Sequence, residues 1–527
     1  MSKKLMMILT AASLLGCVEK TDSAKTVIKE DVNKKDDIQS VYSDPAAYRG
    51  IDPKSSQSSM DRLNFALDRI AKLDSDGPRL QSVLTLNPDA QDIAKALDAE
   101  VTKRSPLHGV PILIKDNVET KDMSTTAGSY TLLNNDTNRD APLVESLRNA
   151  GALIIGKANL SQWANFRSED STSGWSALGA QVKNPHALNR SPCGSSSGSG
   201  SAVAAGLVPA AIGTETNGSI ICPSAMNGIV GFKPTVGVIS QDLIVPISST
   251  QDTAGPMTLT VKDAAIMMDA MTGNGNEYLE AVESATLSGK RIGVLTFAVG
   301  DNDGVKINFE AVLETLKAQG ATLVEIDEYN PPEGFGKASY DVLKYEFKAT
   351  LNEYLANAAP AVTARSLTQV IEETQANAKE MAVFDTSILE ASNALGGLSS
   401  QEYQDGLKLV LKATRQDGID KMLTDNNVDV LVAPSTAPTF LIDHIYGDTY
   451  PGGTGAGWIA AIAGYPHITV PMGDYKGLPV GVSFMGRAND DKAVMAVGHA
   501  YEQAGGIRIT PRFVEAIEKR EGSGIKK

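Results

Sequence analysis

Residues 192–222 read PCGSSSGSGSAVAAGLVPAAIGTETNGSIIC, and four structures compete for this stretch. A flexible Gly/Ser linker is the simplest. It conflicts with flanks rich in structure signals and with the alanine-rich, helix-forming run that the segment opens. A phosphate loop requires G-x-x-x-x-G-K-[ST], and no lysine follows these glycines. A nucleophile elbow, G-x-S-x-G, is literally present from Gly194 to Gly198. That motif needs a buried strand just before it, whereas NPHALNRSPC (184–193) reads as a loop. His444, His467 and His499 also lack the context of a triad base. The fourth reading joins this segment to Lys115, at the end of an apolar run from Val110 to Ile114.

Working outward, Leu63, Leu67 and Ile70 share one face of a helix over 60–70. Val110–Ile114 and Leu153–Ile155 read as buried strands, with helices over 141–150 and 199–212. Arg291–Phe297 is a strand, Asn308–Gln319 a helix and Thr322–Ile326 a strand. Residues 340–425 are mostly helical in pattern, with Gly396-Gly397 as the clearest break. Val428–Ala433, Ile468–Val470 and Gly481–Phe484 are late core strands. Strands alternating with helices argue for an α/β layered domain.

The composition narrows the function. The 527 residues carry 48 Lys+Arg against 63 Asp+Glu, a net charge of −15. That balance opposes nucleic acid as a partner, because such binding is driven by Lys and Arg. Three cysteines cannot build a disulfide scaffold. Five histidines without motif spacing make a metal centre improbable.

Several ordered motifs resemble the amidase signature family. LHGVPILIKDN (107–117) is similar to its LHGVPI-x-x-KD-N segment. Asn184-Pro185 with RSPCGSS (190–196) is similar to NP…R-x-PGGSS. GTETNGSI (213–220) is similar to G-T/S-D-x-G-G-S-I, GFKPT (231–235) to G-x-KPT, and GLPVG (477–481) to the closing G-x-P-x-G. The resemblance spans about residues 60–512. It implies a single α/β/α domain around a large mixed sheet, with helical additions between about 335 and 425. It implies an amidohydrolase with no cofactor and no metal, acting on a small-molecule or peptide amide.

The resemblance assigns roles to three residues. Ser219 matches the nucleophile, Ser195 the bridging serine on a cis peptide, and Lys115 the base. The assignment is chemically coherent. Serine attacks an amide only with help from a base. Lysine can be that base only if burial lowers its pKa, and Ile112, Leu113 and Ile114 place Lys115 at the end of a buried strand. Backbone N–H groups of Thr216, Asn217 and Gly218 sit in a turn able to aim donors at an oxyanion. Lys233 also matches a family position, but a structural one.

Departures locate the chain within the family. Glu215 stands for aspartate and Asn217 for the first glycine of a pair; asparagine tolerates positive φ. Ser197 and Ser199 break GGSSGG. These variants resemble the peptide amidase branch more than the glutamine-hydrolysing subunit of tRNA-dependent amidotransferases. Ile221 stands where members binding a substrate carboxylate carry arginine. Amidotransferase activity and a non-catalytic binding protein on the same fold are the alternatives. Cys193 and Cys222 flank the two serine motifs, which must converge; two buried free thiols are expected there, with a disulfide as the alternative.

The amino terminus implies export. Lys3 and Lys4 precede the apolar run Leu5–Leu15, of signal-peptide length. Leu14-Leu15-Gly16-Cys17 resembles a lipoprotein box, with Cys17 as the lipidated residue. The expected organisation is a signal peptide over 1–16, a polar tether over 17–58, the domain over 59–515 and a tail over 516–527. Membrane contact is then through the lipid alone. Val18 in place of the aspartate that retains lipoproteins favours the outer membrane.

Overall fold

The computed structural model describes residues 50–518; Cys17 and the expected signal peptide lie outside the described residues. Eleven strands form one mixed sheet: β1 (Val83–Leu86), β2 (Pro111–Lys115), β3 (Leu153–Ala158), β4 (Ala210–Glu215), β5 (Val230–Lys233), β6 (Thr253–Thr258), β7 (Arg291–Leu295), β8 (Thr322–Ile326), β9 (Val430–Pro434), β10 (His467–Tyr475) and β11 (Leu478–Met485). Their order across the sheet is β1-β3-β2-β4-β6-β5-β10-β11-β9-β7-β8. β3, β2 and β4 run parallel to one another, as do β9, β7 and β8. The strands between these trios pair antiparallel. This is the α/β fold around a large mixed sheet that the motifs imply.

Most expected elements fall where the pattern puts them. The first helix, α1 (Ser59–Arg69), starts at a capping box in which Ser58 and Asp61 bond each other's backbone N–H. The expected helix over 199–212 is half right. Its first part is α2 (Ser197–Ala204), but the chain from Ala210 is strand β4. Gly206, at φ +66°, takes the left-handed turn that ends the helix. Pro209 then precedes the strand, where alanines give the periodicity no polar face to read. α3 (Ile221–Asn227) follows β4 after a turn over 216–220.

The helical additions are α4 (Phe335–Ala356), α5 (Leu367–Ala376), α6 (Ser387–Ala394) and α7 (Gln401–Thr414). Gly396-Gly397 falls in the break between the last two. At the start of the described chain, Ile51 is buried and its N–H donates to Asp263 Oδ1 at 2.9 Å.

Candidate active site

The parallel trio β3-β2-β4 positions the site. Functional groups in such sheets gather where the strands' carboxyl ends meet, and Lys115 and Glu215 are the last residues of adjacent strands. All five residues of β2 are buried. Lys115 is therefore held away from water on every side, at 0% exposure.

Its amine has three partners. Nζ lies 2.7 Å from Ser195 Oγ, 2.8 Å from Thr214 Oγ1 and 3.2 Å from the Thr214 carbonyl. Thr214 Oγ1 also accepts from Asn117 Nδ2 at 3.0 Å. Burial pulls the Lys115 amine down to about 7, against the opposing carboxylates of Asp252 and Glu215. A neutral amine keeps two N–H groups for Thr214 and turns its lone pair toward Ser195.

The Gly/Ser segment is architecture rather than linker. Ser196 Oγ donates to the Thr214 carbonyl at 3.0 Å and accepts from Thr214 N–H at 3.1 Å. Ser197 Oγ donates to Cys193 O at 2.6 Å, and Ser199 Oγ to Ile212 O at 2.9 Å. Each of these buried hydroxyls satisfies a backbone carbonyl. The Gly194–Ser195 peptide is cis. Ser196 N–H donates to Ser219 O at 3.2 Å, joining the two serine segments.

The turn holding Ser219 is tied down from both ends. Glu215 Oε2 accepts from the N–H groups of Ile220 (2.7 Å) and Ile221 (2.9 Å), capping the start of α3. Thr216 Oγ1 donates to Asp252 Oδ1 at 2.6 Å. Burial raises Asp252 to about 6, against that bond and two backbone N–H donors. The left-handed residue of the turn is Gly218, at φ +85°, not Asn217; Asn217 needs no special tolerance. Among the described residues, the N–H groups of Thr216, Asn217, Gly218 and Ser219 donate to no protein acceptor. Ser195 is fully buried, and Ser219 is 9% exposed.

A cavity of about 570 Å³ opens in front of this turn, with Gly194, Asn217, Gly218 and Ile221 in its wall. Phe297, Tyr329 and Trp458 make an aromatic side, and Ser173, Asp448 and Tyr450 another.

Cys193 and Cys222 also line this cavity, and they are bridged, with Cα atoms 5.9 Å apart. The expectation of two free thiols is corrected. The turns converge closely enough for a disulfide, and Met226 and Phe440 pack over it. Lys233 is buried, and burial lowers it to about 8, but its amine donates to the Pro234 carbonyl at 3.1 Å and reaches neither serine. His467, which the sequence gives no context as a triad base, lines the cavity with Nε2 2.6 Å from Ser483 Oγ; burial pulls it to about 3. Thr214 lies within the GTETNGSI motif, whereas Asp252 and Asp448 carry no sequence signal, since their roles depend on contacts between distant segments.

The family model named Amidase matches residues 61–495. A probable amidase of Arabidopsis thaliana is 35% identical over 482 residues, covering 86% of this chain and 88% of the relative. A glutamyl-tRNA(Gln) amidotransferase subunit from Exiguobacterium sibiricum is 33% identical over 473 residues, covering 85% and 94%. The crystal structure of the peptide amidase from Stenotrophomonas maltophilia superposes with a TM-score of 0.82 at 42% identity, covering 88% of this chain and 96% of that one.

Proposed function

The chain belongs to the amidase signature family and is an amidohydrolase, and from that premise we propose that it hydrolyses primary carboxamides, peptide amides among them, through an acyl-enzyme on Ser219. The observation that carries the proposal is the buried Lys115 amine 2.7 Å from Ser195 Oγ, behind the turn that holds Ser219.

In this reading Ser219 Oγ attacks the amide carbon. Its proton passes to Ser195 Oγ, whose own proton passes to neutral Lys115. The carbonyl oxygen becomes an oxyanion, received by the open N–H groups of the 216–219 turn. Thr216, Asn217 and Gly218 are the proposed donors, and each such donor is worth roughly 3–4 kcal/mol. As the C–N bond breaks, the leaving nitrogen takes a proton from Ser195, which regains one from Lys115, and ammonia departs. Water then hydrolyses the serine ester by the same relay in reverse.

The cavity supports a substrate without a carboxylate at this point. Ile221 offers nothing to pair one, and among the described residues no lysine or arginine lines the cavity. A carboxylate desolvated there would have no partner. That disfavours free glutamine, and with it the amidotransferase reading, despite the similarity to the Exiguobacterium protein. The presence of Lys115, Ser195 and Ser219 disfavours a silent binding protein. We further propose export and anchoring through lipidated Cys17, supported by the order of positive residues, apolar run and cysteine in the sequence.

The test is ammonia release by purified protein lacking residues 1–17 from a panel of amides. Turnover of amino-acid and peptide amides above glutamine supports the reading. Preference for glutamine by tenfold or more contradicts it.

A further inference from the structure

The cavity carries a negative charge that the proposed chemistry does not use. Among the described residues, its acidic lining consists of Glu215 and Asp448. Glu215 gives Oε2 to the N–H groups of Ile220 and Ile221, and its charge acts on the buried amines of Lys115 and Lys233. Asp448 has a different setting. Oδ1 accepts from Ser173 N–H at 2.9 Å, and Oδ2 accepts from the Ser173 hydroxyl. Among the described residues, no lysine, arginine or histidine forms an ion pair with it. Burial pushes its carboxyl above the usual range, with the Ser173 bonds opposing.

A carboxylate offers about four lone-pair directions, and Ser173 takes two. Asp448 itself lines the cavity. A desolvated carboxylate without a cation is costly, so an arriving cation gains more here than at the surface. Tyr450, two residues further along and also in the wall, adds a ring on which a cation can rest.

The position is close to the chemistry. Ser173 Oγ lies 3.2 Å from where a Cβ on Gly194 would stand. Asp448 is thus one hydroxyl removed from the Gly194–Ser195 peptide. Asp448 lines the same cavity as Gly194, Asn217 and Gly218.

We propose that Asp448 is a specificity-determining residue that receives a positively charged ammonium adjacent to the scissile carboxamide, the α-ammonium of an amino-acid amide. The proposal rests on the amidase reading above and names the substrate class within it. In a longer peptide amide, the backbone N–H at the same atom makes a weaker, neutral form of the contact.

The test compares leucinamide with 4-methylpentanamide, which has the same skeleton without the amino group, at pH 6.5. Wild-type protein should favour leucinamide in kcat/KM by about tenfold or more, as expected of a charge-assisted hydrogen bond, mainly through a lower KM. In Asp448→Asn the ratio of the two should fall to about unity. Wild-type protein that turns over both amides with equal efficiency overturns the inference and leaves the amidase reading standing. A wild-type preference that Asp448→Asn retains also overturns it. Ammonia from no amide at all removes the amidase reading, and the inference with it.

Discussion

Lys115 must be neutral to act as a base, and burial is what makes it so. At its ordinary pKa of 10.5 the amine would be neutral in about 0.03% of molecules at pH 7. Pulled down to about 7, it is neutral in about half of them. Burial therefore raises the supply of working base by about three orders of magnitude. The sign follows from the role: protonation disables the base, so activity is lost as pH falls through about 7. We predict that kcat/KM for a neutral primary amide rises about tenfold per unit below pH 7 and levels off above about 8, reporting the free enzyme because the substrate does not titrate. Lys115→Arg keeps a positive charge but cannot lose its proton. It should lose several orders of magnitude in kcat, as should Lys115→Met and, less completely, Ser195→Ala. Rates measured from pH 5.5 to 9, with circular dichroism to establish folding, check all of these. A flat profile between pH 6 and 8.5, or a folded Lys115→Met within about tenfold of wild-type turnover at pH 8, refutes the reasoning.

Three further outcomes are expected. Glu215→Ala leaves the N–H groups of Ile220 and Ile221 unpaired, costing about 2 kcal/mol or more in urea unfolding; Glu215→Gln, which keeps a carbonyl acceptor, should recover most of it. Breaking the Cys193–Cys222 bridge, whose partners are 29 residues apart, should cost roughly 3–4 kcal/mol by loop-closure entropy. A lower melting temperature in reductant, unchanged by reductant in the double serine variant, is the readout. Cys17→Ala should move the protein from the membrane fraction to the soluble fraction; wild-type protein that is already soluble and carries no lipid by mass spectrometry sinks the anchoring proposal.

The site was legible where chemistry is written in contiguous motifs. Lys115 ends an apolar run that reads as a strand and is one. Its pairing with Ser195 was reachable only through resemblance, since 80 residues of chain separate them and no periodicity links the two. Strand β6, TAGPMT, leaves no mark in the sequence pattern, because a strand buried on both faces shows no alternation and this one contains glycine and proline. The extension of the helix over 199–212 into β4 failed for the related reason that alanine suits either state. Asp252 and Asp448 could not be singled out. Each is an ordinary acid in an ordinary loop until Thr216 or Ser173, from a distant segment, is folded against it. The disulfide turned on a distance between two turns, which spacing along the chain does not contain.

The central claim is that Ser219 is the acylated residue. It is tested most directly by treating the protein with a fluorophosphonate, following residual amidase activity, and mapping the adduct by peptide mass spectrometry. The account predicts one adduct, on Ser219, growing in step with the loss of activity and slowed by orders of magnitude in Lys115→Met. Full modification of Ser219 with activity intact, or inactivation with the adduct on another residue, would contradict it.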